Sequence, residues 1–424
     1  MKEASRVAAY AAREAYGRLL GRLVRQWGDI VSAEDALADA LVQALENWPV
    51  AGVPDAPEAW LLTASRRNLL QKARHDRVRA AAFAALEVTP PPANRLSPDL
   101  GIDDDRLRLL FACAHPIVPI SIRTALMLQV VLGFDARDIA KAMLVSPSAL
   151  AQRLVRAKRQ LAAQASDFVE PERAEMPSRL PAVLEAVYAL LVLGAQPDSA
   201  RSADLDHTWA ADTLADVLAA ALPAEPEALA LAALARYCRA RNSRDSLVDT
   251  PYVPLDEQDA QGWDQPMINE AERLLSAAAR LRQPGPMQLE AAIQSAHCQR
   301  RMTGETPWKA IASLYSQLNA HWPTIGSRVA GAVAIAKAGQ LEDALSELDG
   351  LPSRQTMSYQ PWWAARAHIL AQLGRASDAN RAYLQAINCT QASSVRRYLE
   401  QQLRLHQLEQ EDYQPPASEL SKWN

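Results

Sequence analysis

The side chains best suited to chemistry in this sequence are donors gathered on one short stretch. From Pro147 to Leu161 the chain reads PSALAQRLVRAKRQL, and Ser148, Gln152, Arg153, Arg156 and Arg159 are spaced to leave one side of a helix. Arginine and glutamine pair with guanine and adenine edges in the DNA major groove. Arginine also holds phosphates electrostatically. Leu150, Leu154 and Ala157 recur at steps of four and three, so they predict the inward face of the same helix. Upstream, Asp135 is placed to cap a short helix whose apolar face is Ile139, Ala140 and Met143. Leu144 to Ser148 then supplies a turn, and Pro147 suits the first turn of the following helix. The pattern is a helix–turn–helix, in which the second helix enters the major groove. The alternative is a basic, solvated helix in a bundle.

A second set of groups lies earlier. Between Arg66 and Arg79 stand six cations, Arg66, Arg67, Lys72, Arg74, Arg77 and Arg79, against the single acid Asp76. Trp60 lies near the start of this stretch and Asn68 within it. Cations hold a phosphate backbone, and an indole ring stacks on unpaired bases. A third set is acidic: Glu34, Asp35 and Asp39, at the start of a helix for which Ser32 is the expected cap. These acids either favour the helix dipole or form a face for a basic partner.

The segments that carry these groups all read as helices. Residues 5 to 27 are amphipathic, Leu37, Leu41 and Leu45 form one apolar line, and RLRLLFACAH follows the capping run Asp103-Asp104-Asp105. SIRTALMLQVVLGF is apolar and ends at Gly133. Alanine and leucine dominate a chain that is 49% hydrophobic and only 6% aromatic, so the expected fold class is all-α. A length of 424 residues suits two or three domains. The net charge of −4 argues against a protein coated in positive charge, and leaves local basic faces as the electrostatic footprint.

The expected organisation is a first module at 1–85, a proline-bearing linker at 86–104, a helix–turn–helix module at 105–168 and a helical extension at 178–412. In the extension, 242–266 reads as a long loop anchored by Trp263. Ala338 to Ala344 echoes loosely as Leu373 to Ala379, with Gly339 and Gly374 standing 35 residues apart. That spacing is close to the tetratricopeptide period of about 34. Tyr359, Trp362, Trp363 and Tyr383 either line a binding surface or fill the core.

Cys113, Cys238, Cys298 and Cys389 are scattered without a CxxC spacing, which suits a reducing compartment and implies no zinc cluster. Cys113 and His115 are too few ligands for a metal. The start lacks a signal-like apolar run, and no window reads as the roughly 18 apolar residues of a membrane span. The expectation is a soluble, cytoplasmic protein without cofactor. No Ser/His/Asp order, phosphate loop, HExxH or dinucleotide fingerprint is present, so an enzyme is not expected.

Taken in order, these features resemble RNA polymerase sigma factors of the sigma-70 family, in the extracytoplasmic-function (ECF) class. The matching residues are Ala33-Glu34-Asp35-Ala36-Leu37 with Asp39, Ala59-Trp60-Leu61, Arg67-Asn68, Asp138-Ile139-Ala140 and Arg153-Leu154-Val155-Arg156-Ala157-Lys158. VPDAPEAWL, DDRLRLLFACAHP, LVSPSALAQRLVRAKRQL, RLPAVLEAVYALL, PLDEQDAQGWD and GPMQLEAAIQSAH are similar to the subgroup with a long helical C-terminal extension. The resemblance implies that core RNA polymerase meets Glu34, Asp35 and Asp39. It implies that Trp60, Arg66, Arg67 and Asn68 bind the −10 element of promoter DNA. Ser148, Gln152, Arg153 and Arg156 would read the −35 element. It further implies that the extension contributes to activity. Its size and covalent attachment, which raises its effective concentration, suggest docking on the two DNA-binding modules as the means. The competing function is a helix–turn–helix regulator with a protein-binding sensor domain, and a third is a scaffold whose basic helices are solvated faces.

Overall fold

The computed structural model describes residues 15–83, 104–163, 174–194, 207–241 and 252–412. Among the described residues every regular element is helical, so the chain is all-α. The expected linker, apart from Asp104, and the start of the expected first helix lie outside the described residues.

The chain divides into two compact units. The first contains α1 (Tyr16–Trp27), α2 (Ile30–Ala51), α3 (Pro57–Phe83), α4 (Asp105–Cys113), α5 (Ile120–Val130), α6 (Ala136–Ala142), α7 (Pro147–Ala163), α8 (Met176–Gly194) and α9 (His207–Ala221). Local chemistry sets several starts. Asp104 accepts from the Arg106 and Leu107 amides at 2.7 and 3.2 Å, and Asp135 accepts from the Arg137 amide at 2.7 Å. The cap of α2 is Asp29, which accepts from the Val31 amide at 3.0 Å, rather than the expected Ser32. The helix begins earlier because Ile30 is drawn into the core.

Two glycines decide how α1 meets α4. A Cβ on Gly21 would stand 2.4 Å from the Asp105 carbonyl oxygen, and one on Gly17 would stand 2.2 Å from that of Val131. Only a bare Cα permits so close an approach. Beside this seam Arg22 and Arg25 reach the Asp105 carboxylate at 3.5 and 3.3 Å. The two modules expected to be separate pieces therefore share one packed interface.

The unit also extends past the boundary expected near 178. α5 is apolar on nearly every side, with Ile122, Leu126, Met127 and Val130 all buried, so it needs cover from several directions. α8 supplies some of it, and α9 packs on α8 in turn. Arg179, itself buried, donates from Nη1 to the Phe111 carbonyl at 3.2 Å and from Nη2 to Glu175 at 2.9 Å. α8 also corrects the expectation of no membrane-length segment: it is long and apolar enough by composition to cross a bilayer. Val183, Val187, Leu190 and Leu191 are nevertheless buried against protein, as in a core helix.

The second unit holds α10 (Pro226–Arg241), a 3-10 turn at Ala260–Gly262, α11 (Gln265–Arg280), α12 (Pro286–Cys298), α13 (Arg300–Thr303), α14 (Trp308–His321), α15 (Ile325–Lys337), α16 (Leu341–Asp349), α17 (Ser353–Thr356), α18 (Gln360–Gln372), α19 (Ala376–Cys389) and α20 (Ser393–Asp412). The pair α15–α16 recurs as α18–α19 with both helix starts displaced by 35 residues. Gly339 and Gly374 make the two turns at φ 94° and 72°, a left-handed backbone that favours glycine. Ala344 and Ala379 are equivalent and fully buried. Trp362 and Tyr383 are core residues. Trp263 is buried as expected, under the Arg300 guanidinium at 5.2 Å. Arg300 and Arg301 also gather carbonyls of the preceding loop, including Gln258 at 2.6 Å and Ala260 at 2.9 Å.

Candidate nucleic-acid interface

The helix–turn–helix is formed by α6 and α7. Ser146 begins the second helix, its hydroxyl accepting from the Ala149 amide at 3.4 Å and lying 3.0 Å from that of Ser148. The turn needs one unusual residue: Leu144 adopts φ 53°, and the next amide, Val145, bonds back to the Ala140 carbonyl at 2.9 Å. This tight reversal turns Met143 outward, to 36% exposure, against the expectation that it packs inside. Ile139, Ala140, Leu150, Leu154, Ala157 and Leu161 form the buried seam. Asp135 and Pro147 sit where expected, at the cap and the first turn.

α7 contains four cations, Arg153, Arg156, Lys158 and Arg159, and no acid. At 100° per residue, Ser148, Gln152, Val155 and Arg159 share a sector of about 60°, with Ala151 and Arg156 on its flanks. All six are exposed. Ala151, Gln152, Val155, Arg156 and Arg159 line a shallow depression on this face. Arg153 is exposed too, but is engaged within the fold: its Nη2 donates to the Ser121 hydroxyl at 2.7 Å and carbonyl at 3.3 Å. Arg159, read from the sequence as outward-facing, lies on the outer face seven residues beyond Gln152.

The acidic and basic helices of the first module are cross-braced. Asn68 donates to the Ala36 carbonyl and accepts from Gln43, both at 3.2 Å, so its amide is occupied inside the fold. Arg66 donates to Gln26 at 3.0 Å, and Lys72 to Asp35 at 3.2 Å. Trp60 is half-buried and sets its ring edge against Trp48 at 5.5 Å. Arg67 and Asp39 are exposed. Among the eleven expected contact groups, then, the free ones divide between the outer face of α7 and a few positions on α2 and α3.

Glu34 joins the two modules. Its carboxylate accepts from Lys158 of α7 at 2.9 Å, with both side chains about four-fifths buried (17% and 20% exposed). The pair lies over apolar core. Burial pushes the Cys113 thiol well up, with Glu34 adding and Lys158 opposing. Burial likewise raises the Tyr16 phenol, with Glu34 and then Asp35 adding. His115, beside Cys113, accepts from the Ile117 amide through Nδ1 at 3.2 Å, a turn-forming contact.

A protein of Rhizobium meliloti (strain 1021) described as "Uncharacterized protein R00370" is 34% identical over 401 residues, covering 91% of this chain and 92% of its own length. The chain belongs to the same family as that protein. Residues 179–279 match a family model described as "Family of unknown function (DUF6596)". No solved structure matches the chain.

Proposed function

We propose that the chain is a promoter-recognition subunit, a sigma factor of the ECF class, that acts in the cytoplasm by binding core RNA polymerase. In this proposal Ser148, Gln152, Arg156 and Arg159 read an upstream duplex element. Arg67, with Trp60 and neighbouring cations of α3, grips the parted strands downstream. Asp35, Asp39 and, once released from Lys158, Glu34 meet the polymerase. The tetratricopeptide-like helical pairs of the second unit modulate the activity.

One observation carries the proposal: α7, an acid-free helix with a polar and cationic outer face, packs in the same unit as a second basic helix, α3. A regulator that binds only duplex DNA needs the first and has no use for the second. Charge reversal tests it. With purified core polymerase and genomic promoter fragments, R67E and R156E are each expected to lower run-off transcription at least tenfold, leaving the far-UV dichroism spectrum intact. R156E also removes about one phosphate-type contact, so the salt slope of duplex binding should fall by about one. Transcription by both variants at the parental rate would refute the proposal.

One observation favours a second assignment, a helix–turn–helix regulator with a protein-binding sensor. Asn68, Asp35 and Glu34 are all engaged within the fold, whereas the outer face of α7 is open. Binding to core polymerase separates the two: a regulator would bind duplex DNA and leave the polymerase alone.

A further inference from the structure

Among the polar groups on the outer face of α7 stand two apolar side chains that its polar contacts leave unexplained. Val155 is 48% exposed and Ala151 is exposed one turn earlier. They lie along one edge of the depression that Gln152, Arg156 and Arg159 complete. Exposed valine on a helix has no folding role here, because the seam of α7 is already filled by Leu150, Leu154, Ala157 and Leu161.

The occupant is set by charge. Every ionisable residue of α7 is a cation, which fits a polyanion and repels a basic protein face. In a DNA major groove the one apolar group offered by the bases is the thymine 5-methyl. Residues four apart on a helix are separated by about 6 Å, close to two base-pair steps of about 3.4 Å. Gln152, beside them on the same outer face, has the amide geometry for adenine N6 and N7.

We propose that Ala151 and Val155 make the upstream recognition element specific for two A·T pairs separated by one base pair, by taking thymine methyl groups out of water while Gln152 pairs with a neighbouring adenine. This rests on the assignment of α7 as a duplex-reading helix. Arg156, on the flank, and Arg159, one turn beyond Val155, supply phosphate or guanine contacts and so set affinity around these pairs.

The test uses the full chain with core polymerase. A preferred upstream element is first selected from a library of promoter duplexes randomised upstream. Each thymine in it is then replaced by deoxyuridine, which removes the methyl alone. For the parent, substitution at either of two positions standing two steps apart should weaken binding about fourfold each, the worth of one CH₂ group taken from water. V155A should bind the all-thymine duplex less tightly and lose that sensitivity at one position, while Q152A relaxes the choice of adenine beside it. Both side chains are exposed, so thermal melts should match the parent. Selection of a defined element that is indifferent to every methyl would overturn the proposal and leave the duplex-reading assignment standing. A V155A defect in polymerase affinity, with methyl sensitivity retained, would also overturn it. Failure to select any element would overturn both.

Discussion

The Glu34–Lys158 pair offers the most direct test of how the first unit works. The −10 and −35 elements of a promoter lie about 25 base pairs apart, or roughly 85 Å at 3.4 Å per pair. α3, braced on α2, is held close to α7 through this 2.9 Å ion pair, so α3 and α7 cannot serve both elements at once. The compact arrangement must therefore open for the proposed function, and the pair should oppose that opening. Its worth follows from burial. Exposed pairs contribute about 0–1 kcal/mol, and stripping one partner from a buried pair costs about 3–5 kcal/mol. With both side chains about four-fifths buried, replacing Lys158 by Met should cost roughly 2 kcal/mol, and the coupling in a double-mutant cycle of E34A and K158A should be about 1–2 kcal/mol. The assay is urea unfolding followed by far-UV dichroism, where the midpoint moves at constant slope. A shift of roughly 2 kcal/mol is up to about 30-fold in an equilibrium, so duplex binding limited by opening should tighten by as much. The exchange E34K/K158E should restore much of the lost stability. A coupling below about 0.3 kcal/mol, or a K158M midpoint equal to the parent's, would refute the idea that this contact holds the modules together.

Other outcomes follow from the same structure. G21L forces a side chain into the Asp105 carbonyl and should destabilise the first unit by about 1–3 kcal/mol; an unmoved urea midpoint would mean the α1–α4 seam is not formed in solution. A chain ending at Pro223 keeps α8 and α9 and should unfold cooperatively, whereas one ending at 178 exposes α5 and should bind a hydrophobic dye strongly. His297 is held neutral: burial, and then the charge of Arg241, lower its pKa to about 4 against an ordinary 6.5. The unfolded chain therefore binds the extra proton between about pH 6.5 and 4. Stability is fully present above 6.5 and falls by roughly 3 kcal/mol down to about 4, a slope that H297Q should flatten in melts taken across that window. At lower pH Asp104 contributes. Burial alone would raise its carboxyl, but hydrogen bonds and charge from Arg106 outweigh that and hold it below the usual range. Its stabilisation is present above about pH 4 and lost as pH falls further; D104A should remove this acid-sensitive part and cost about 1 kcal/mol of cap at neutral pH.

Much of the molecule follows from local patterning that needs no third dimension. The period of apolar residues, the caps at Asp104 and Asp135, Pro147 at a helix start and the Gly339–Gly374 echo place helices and turns through short-range sterics and hydrogen bonds. The inward set Leu150, Leu154 and Ala157 was legible for the same reason: a helix face is a property of spacing. Decisions that depend on what stands opposite were not legible. Asn68 looks like a base contact in the sequence and is a brace because Ala36 and Gln43 face it. Arg153 looks equivalent to Arg156 and is tied to Ser121 because α5, which carries Ser121, packs against α7. Glu34 reads as a free acid until Lys158, 124 residues on, is brought beside it by the packing of α7 on α2. Spacing sets which side chains a helix presents, and only packing sets which of them remain free to bind.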